Sequence, residues 1–294
     1  MNKKFWLLGL SLMMLAAFAL TGCGGDKKPE TKTAQPAGPQ TIKLAHVVNE
    51  KDGFHVAALK FKELVEQRTQ GKVKVELFPN AQLGDERTLI EGMQIGTVHM
   101  GVITNGPVAN FLPEIAAFEM PFLFNSPAQA YKVLDGEVGQ KVLAKLDAIN
   151  LKGLAYAERG FRNLTNSKRP VKTPADMAGL KIRVMENPVY IDTFKTLGTN
   201  PVPMAWTEAL TALQQGTIDG QENPINVIYS FKLNETQKHL SMTQHSYAPA
   251  LFLMSKKVFS GFDKATQDIL VKAAQEAAAH ERKWNGDQMA DMIK

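Results

Sequence analysis

Strand and helix patterns alternate along this chain from Thr41 onward, and the alternation limits the folds it can adopt. Short runs of alternating or continuous apolar residues are typical of strands, and apolar residues at a helical period are typical of amphipathic helices. The first five segments, read as strand, helix, strand, helix and strand, are Ile42–Val48, His55–Arg68, Val73–Leu77, Arg87–Gln94 and Val98–Thr104. The order predicts an α/β fold with buried strands.

A second block of the same kind begins after Lys152. Thr173–Asp176 places a cap, a first-turn proline and an acid in the order that starts a short helix, and Lys181–Val184 reads as the next strand. Met93–His99 and Leu213–Asp219 share a helix end on glycine followed by a β-branched pair. This echo indicates two lobes of similar build, although a common helix terminus would produce the same pattern.

The amino terminus has the composition of a targeting segment. Two lysines precede the apolar run Phe5–Leu20, which is shorter than the ~20 residues of a membrane-spanning helix and fits a signal peptide. Leu20–Cys23 resembles the lipobox of bacterial lipoproteins, and Cys23 is the only cysteine of the chain. We therefore expect residues 1–22 to be a lipoprotein signal peptide and Cys23 to carry lipid. The alternative is a signal peptide followed by an incidental cysteine.

Residues 23–40 are expected to form a flexible tether. Asp26–Gln40 is rich in Lys, Pro, Thr, Gly and Gln and lacks large apolar residues, so it cannot bury enough surface to offset the entropy of ordering. The formal net charge of +5 includes two lysines of the signal segment, and the remaining charge is scattered. Binding to nucleic acid is therefore not predicted.

Motifs for catalysis are absent from the sequence. The 6 histidines are scattered without the i,i+4 pair typical of a metal site. No nucleophile elbow, phosphate-binding glycine loop or dinucleotide fingerprint is present. The sequence therefore predicts neither an enzyme nor a metal or cofactor site, although a triad that assembles only in three dimensions would escape this test.

Polar and aromatic residues in a few segments favour ligand binding instead. Arg162 and Arg183 lie in strand-like contexts, and a planar guanidinium can bind a carboxylate through two parallel hydrogen bonds. Asn223 ends a polar turn, Asp219–Pro224, just before a helix, and Trp206 could form the wall of a ligand slot. A surface arginine, a capping asparagine and a core tryptophan are the simpler explanations for each residue alone.

Together these segments resemble the solute-binding subunits of tripartite ATP-independent periplasmic (TRAP) transporters, of the C4-dicarboxylate and sialic-acid type. The resemblance runs from about Ile42 to the end of the chain. It rests on Phe78–Arg87, Gly179–Val184, Pro203–Trp206, Ala212–Gly216 and Asp219–Pro224, in the order and spacing of that family.

The resemblance implies a two-lobed periplasmic binding protein (type II-like) with a hinge and a ligand cleft between the lobes. By analogy, the first lobe would comprise residues 41–158 and 247–288, and the second would comprise residues 159–246 and 289–294. Members of this type usually continue with another strand and helices, so the C-terminal part is expected to be truncated at Lys294.

The resemblance also implies which residues of this chain would bind the ligand. Arg183 matches the arginine that forms a salt bridge with the ligand carboxylate, Arg162 matches a second arginine beside it, and Asn223 matches the asparagine that completes the site. Trp206 lies where the family often has a phenylalanine, and Asn187 is expected to make a polar contact. Sialic-acid members have a glutamate in the strand-end segment that here contains two further expected contacts, Thr104 and Asn105.

These expectations describe a monomer that works outside the cytoplasm, anchored by lipid, and is not an enzyme. It would capture a small organic acid, possibly a C4-dicarboxylate, without any cofactor. The acid would pass to the small and large membrane subunits of a permease driven by an ion gradient. The alternatives are a receptor that reports to a membrane sensor and a binding protein for a sugar acid.

Overall fold

The structure, a computed structural model, describes residues 40–294. The predicted signal peptide, the lipidation of Cys23 and nearly all of the predicted tether lie outside the described residues. Gln40, which was assigned to the tether, is the first residue of a strand.

Strands and helices alternate over residues 40–104 and again over residues 181–230, as predicted, whereas the elements between residues 105 and 149 are all helical. The strands are β1 (Gln40–Ala45), β2 (Val73–Phe78), β3 (Met100–Thr104), β4 (Leu151–Asn166), β5 (Lys181–Val184), β6 (Asn200–Pro203), β7 (Gly220–Asn223) and β8 (His239–Ser255). The α-helices are α1 (Gly53–Arg68), α2 (Glu86–Ile95), α3 (Asn105–Val108), α4 (Pro127–Leu134), α5 (Glu137–Lys145), α6 (Pro188–Thr196), α7 (Trp206–Gln215), α8 (Ile225–Ser230), α9 (Lys256–Ser260) and α10 (Lys264–Ile293). Four short 3₁₀ helices are Pro113–Glu119, Leu146–Ile149, Pro174–Met177 and Leu233–Glu235.

Most of the local predictions agree with these elements. The strand at Lys181–Val184 is confirmed, and both echoed helices end on a glycine in the left-handed region, Gly96 and Gly216. The short helix after Thr173 is a 3₁₀ turn with a capping box between Thr173 and Asp176. The predicted turn across Asp219–Pro224 is wrong, because Gly220–Asn223 forms the buried strand β7, whose polar side chains find partners inside the protein.

All eight of these strands form one sheet in the order β2-β1-β3-β8-β4-β7-β5-β6. The long strands β4 and β8 pair antiparallel in the centre. We call the side of the sheet that contains β1, β2 and β3 the first lobe and the side that contains β5, β6 and β7 the second lobe. Parallel pairing of β1 with β2 and of β5 with β6 repeats on the two sides, consistent with a similar build.

Each lobe has buried apolar side chains of its own. The larger core includes Phe61 of α1, whose ring packs against Phe252 of β8 at a centroid distance of 5.6 Å. The smaller core lies in the second lobe, where Ile182 of β5 and Phe194 of α6 pack with Leu164 of β4. Burial of each such side chain stabilises the fold by about 1.5–3 kcal/mol.

The central strand β4 is irregular where it passes from the first lobe to the second. Its register with β8 shifts between Glu158 and Gly160 and again between Arg162 and Leu164. Gly160 has a φ of +110°, a conformation that side-chain-bearing residues rarely adopt. The bulge re-aims the following residues and places Arg159 and Arg162 where the two lobes meet.

None of the helices within residues 40–294 is long and apolar enough to cross a membrane. The same residues contain no group of three or more His, Cys, Asp or Glu side chains that could hold a metal ion.

Candidate functional site

Arg183 is a buried arginine that has no carboxylate partner among the described residues. It lies on β5, and its Nε and Nη2 donate to the carbonyl oxygen of Met204 at 3.0 and 2.7 Å. Across residues 40–294, no Asp or Glu oxygen comes within salt-bridge distance of this guanidinium, which is only 3% exposed. Burial lowers the pKa of Arg183 to about 10; the negative charge of Glu222 opposes this shift and the positive charge of Arg162 adds to it. The side chain therefore still carries its positive charge at neutral pH.

Arg162, by contrast, is paired inside the protein. Its Nε donates to Glu222 on β7, and Nη2 donates to the same carboxylate at 2.8 Å and to the Glu222 carbonyl at 2.6 Å. His245 Nε2 lies 3.2 Å from that carboxylate. Burial opposes the charged forms, but mutual attraction outweighs it, raising the pKa of Arg162 and lowering that of Glu222.

One nitrogen of Arg162 remains unsatisfied. Nη1 is buried and has no hydrogen-bond partner anywhere in the described part of the chain. Buried polar groups without partners are rare in folded proteins and call for a specific explanation. Because Nη1 is a donor, it can serve an acceptor atom of a ligand.

Trp206 supplies a second unsatisfied donor beside Arg183. It is the first residue of α7, and its ring lies 5.5 Å from the guanidinium carbon of Arg183 and packs edge-on against Phe231. Its indole Nε1 is buried and likewise unpartnered among residues 40–294. Trp206 thus combines an apolar wall with a hydrogen-bond donor.

The first lobe faces these arginines with an acidic side chain. Glu86 begins α2, and one of its carboxylate oxygens accepts the backbone N–H of Thr104 at 2.6 Å. Burial raises the pKa of Glu86, although the Thr104 hydrogen bond opposes the shift. A protonated Glu86 could donate a hydrogen bond as well as accept one.

These side chains meet around one cavity of about 20 Å³ between the lobes. Five of the seven predicted ligand contacts come together there or on its wall, namely Arg162, Arg183, Trp206, Asn223 and Thr104. Sequence reasoning missed four other wall residues, Val47, Glu86, Arg159 and Met185. Glu86 lies in the segment Phe78–Arg87 that carried the family resemblance, but nothing local indicated that it faces the arginines.

Arg159 is another paired arginine at the edge of this cavity. Its Nη1 donates to the Asp52 carboxylate at 2.7 Å, and its guanidinium carbon lies 4.2 Å from the centre of the Phe54 ring. Asp52 also caps α1 by accepting the N–H of Phe54. Arg159 and Arg162 both form salt bridges, whereas Arg183 forms none with any carboxylate in residues 40–294.

The structure places Asn187 and Asn105 away from the cavity wall. Asn187 caps α6 and donates from Nδ2 to the carbonyl of Gly106 and to the carboxyl group of Glu119. Asn105 begins α3 and donates from Nδ2 to the carbonyl of Ile115 at 3.1 Å. Both asparagines are fully buried among protein groups.

Glu119 is a buried acid beside Asn187, and its environment predicts a pH dependence of stability. Burial raises the pKa of Glu119 to about 8, although Arg162 opposes the shift. Because the folded pKa lies above that of the unfolded chain, this group stabilises the fold at low pH, and the contribution is lost as the pH rises toward 8.

We expect Glu119→Gln to remove that contribution, since glutamine does not titrate. The free energy of unfolding of the unmodified protein should fall more steeply than that of the variant, by up to about 1.4 kcal/mol per pH unit from about pH 5 to pH 8. Urea unfolding across this range measures both slopes. Parallel curves would show that Glu119 ionises normally in the folded protein.

Comparison with known proteins identifies the family. The model of bacterial extracellular solute-binding protein, family 7, matches residues 44–294. The chain belongs to this family.

Individual members resemble the chain over most of its length. The 2,3-diketo-L-gulonate-binding periplasmic protein of Escherichia coli is 43% identical over 254 residues, which cover 86% of this chain and 77% of that protein. A TRAP periplasmic solute-binding protein of Polaromonas, solved with D-erythronate, has a TM-score of 0.85 at 45% identity and covers 86% and 84% of the two chains. One from Sulfurospirillum deleyianum, solved with succinate, has a TM-score of 0.83 at 35% identity and covers 87% and 83%.

Membership in family 7 confirms the two-lobed α/β fold predicted from the sequence. It also confirms the resemblance to TRAP solute-binding subunits, whose members are binding proteins that act outside the cytoplasm.

Proposed function

We propose that this family 7 protein captures a small organic acid outside the cytoplasm and delivers it to a TRAP-type permease. The observation that carries the proposal is Arg183, which is buried, charged and without a carboxylate partner in the described chain. A buried unpaired charge is costly, and a bound carboxylate would offset that cost with a charge-assisted bidentate hydrogen bond. Arg162 Nη1 and Trp206 Nε1 would donate to the same ligand.

The charges of the site favour, within this class, an acid with one carboxylate and several hydroxyl groups. Two of the three arginines around the cavity are already neutralised, by Asp52 and Glu222. One carboxylate would therefore balance the remaining guanidinium. A second carboxylate placed near Glu86 would meet no positive charge there to balance it, whereas a hydroxyl could donate to or accept from Glu86.

Delivery to the two membrane subunits of a permease rests on family membership and on the predicted lipid anchor. A lipid on Cys23 followed by a flexible tether would hold the binding domain near its membrane partner. We expect the bound acid to be released unchanged. Intact acid recovered after long incubation, and uptake only when the permease subunits are present, would distinguish transport from catalysis and from a sensing role.

A thermal-shift panel of organic acids tests the proposal directly. An acid present at 100 times its dissociation constant should add about 2.7 kcal/mol to the free energy of unfolding. We expect stabilisation by D-erythronate, galactonate or a related hydroxy acid, and a weaker effect of succinate. Erythritol has the carbon skeleton of erythronate without the carboxylate and is the matched control.

Stabilisation by erythritol equal to that by D-erythronate would contradict the role of Arg183. Failure of every acid in the panel to stabilise the protein would contradict the proposed ligand class. Calorimetry with the acids that stabilise the protein in the thermal-shift panel provides their dissociation constants.

A further inference from the structure

Asn187 joins the two lobes through its side-chain amide. It follows β5 in the second lobe, and its Nδ2 donates to the carbonyl of Gly106 at 3.1 Å and to Glu119 Oε2 at 2.9 Å. Both acceptors belong to the segment after β3 in the first lobe. The side chain is fully buried, so neither hydrogen bond is shared with bulk water.

The contacts around Asn187 are also between the lobes. Asn110 Nδ2, in the first lobe, donates to the carbonyl of Glu186 at 2.6 Å. The Met185 side chain packs so closely on Gly106 that a Cβ added to the glycine would lie 2.7 Å from the Met185 sulfur. The turn between β5 and α6 therefore fits closely against the segment after β3.

We propose that Asn187 is a closure latch, a positioning residue that stabilises the closed arrangement of the lobes without touching the ligand. Asn187 is not among the residues that line the cavity. Its two acceptors lie on the opposite lobe, so separation of the lobes must break both hydrogen bonds. The proposal rests on the proposed function, because it assumes that the lobes open and close around a bound acid.

A latch and a ligand contact have different consequences for affinity. A bond made only in the closed state contributes to the binding of every ligand that closes the lobes, because closure is part of the binding equilibrium. Its loss should lower all affinities by one common factor. Loss of a direct contact would instead change the preference between acids that differ at the contacted atom.

Asn187→Ser is the sharpest variant. Serine is a favourable helix cap and can still accept the N–H of Val189, which Asn187 Oδ1 accepts at 2.8 Å, so α6 keeps its start. The shorter side chain cannot reach the first lobe. We expect the dissociation constant of each acid that binds the unmodified protein to rise by about tenfold or more, as for the loss of two buried hydrogen bonds.

Asn200→Ser is the matched control. Asn200 Nδ2 donates to the carbonyl of Gly179 at 3.3 Å, and both residues lie in the second lobe. Its replacement should leave the affinities unchanged. Calorimetry with D-erythronate and succinate, four-carbon acids that share one carboxylate and differ at each of the other three carbons, measures both variants.

Hydrogen exchange of the ligand-free protein gives a second readout that needs no acid. In Asn187→Ser, the amides of residues 105–110 and 185–190 should exchange faster together, whereas Asn200→Ser should leave both segments unchanged. If no acid binds the unmodified protein, the proposed function fails, and the exchange experiment still decides whether Asn187 holds the two lobes together.

An unchanged affinity in Asn187→Ser, or a loss confined to one acid, would overturn the latch. So would exchange that increases in only one of the two segments. Should Asn187→Ser fail to fold, Glu119→Ala removes one of the two acceptors and should weaken the binding of all acids by one common factor. If both fold, their effects should be less than additive in the double variant, because they remove the same interaction.

Discussion

Arg183→Ala is expected to weaken binding of the organic acid by at least about thirtyfold, because truncating one partner of a buried charged pair costs roughly 2–5 kcal/mol. Arg183 is the only arginine on the described cavity wall without a carboxylate partner, so no neighbouring side chain can replace its charge. The ligand carboxylate would lose its counter-charge in a site where water cannot compensate. Titration calorimetry with an acid that stabilises the unmodified protein measures the loss.

Two variants make the result specific. Arg169→Ala removes an exposed arginine of the second lobe that also donates to backbone carbonyls, those of Asp176 and Ala178, and should leave binding unchanged. Arg183→Lys keeps the positive charge but loses the planar fork, so we expect an affinity between those of the alanine variant and the unmodified protein. Near-native affinity of Arg183→Ala would show that the carboxylate binds elsewhere.

Arg162→Ala is expected to lower the free energy of unfolding by about 3–5 kcal/mol, since it leaves the Glu222 carboxylate buried without its partner. Urea unfolding of the ligand-free protein at neutral pH measures this loss. The pKa of Glu222 is lowered in the folded protein, so the pair contributes stability above the ordinary carboxyl pKa, and this contribution is lost as the pH falls through the lowered value. The difference between the two proteins should therefore shrink in acid.

A double variant that removes both charges shows how much of the stability loss comes from leaving one charge buried without its partner. Arg162→Leu combined with Glu222→Leu should be more stable than Arg162→Ala alone, because no uncompensated charge remains in the interior. A loss in Arg162→Ala no larger than in the surface variant Arg169→Ala would mean that the buried pair stabilises little. For binding, we expect Arg162→Ala to cost less than Arg183→Ala, since only Nη1 of Arg162 remains unpartnered in the described chain.

Local patterns in the sequence predicted much of the fold correctly. The strand Lys181–Val184 and the helix stops at Gly96 and Gly216 depend on apolar spacing and on glycine conformation, which act over a few residues. The prediction of a turn at Asp219–Pro224 was wrong because contacts between distant residues decide the structure there. Its polar residues indicate a loop, but tertiary partners satisfy them, and the segment is a buried strand.

Some residues around the cavity could be predicted from the sequence, whereas others depend on tertiary packing. Arg183, Trp206 and Asn223 could be proposed because they lie in motifs of a known family at the expected spacing, and Arg162 because it matches a second arginine of that family. Glu86 could not, since the helix start that it occupies has an ordinary capping sequence. Its position opposite the arginines results from the packing of one lobe on the other.

The sequence by itself therefore determined the α/β class and the two-lobed family and pointed to two arginines that line the cavity, because short-range periodicity and motif order carry this information. Only the tertiary structure decided which of these arginines forms a salt bridge inside the protein. Arg162 is neutralised by Glu222, 60 residues away in the chain, whereas Arg183 has no such partner in the described residues. It also placed Asn187 between the lobes rather than on the cavity wall. Both outcomes depend on burial and on contacts between distant segments, which no local pattern encodes.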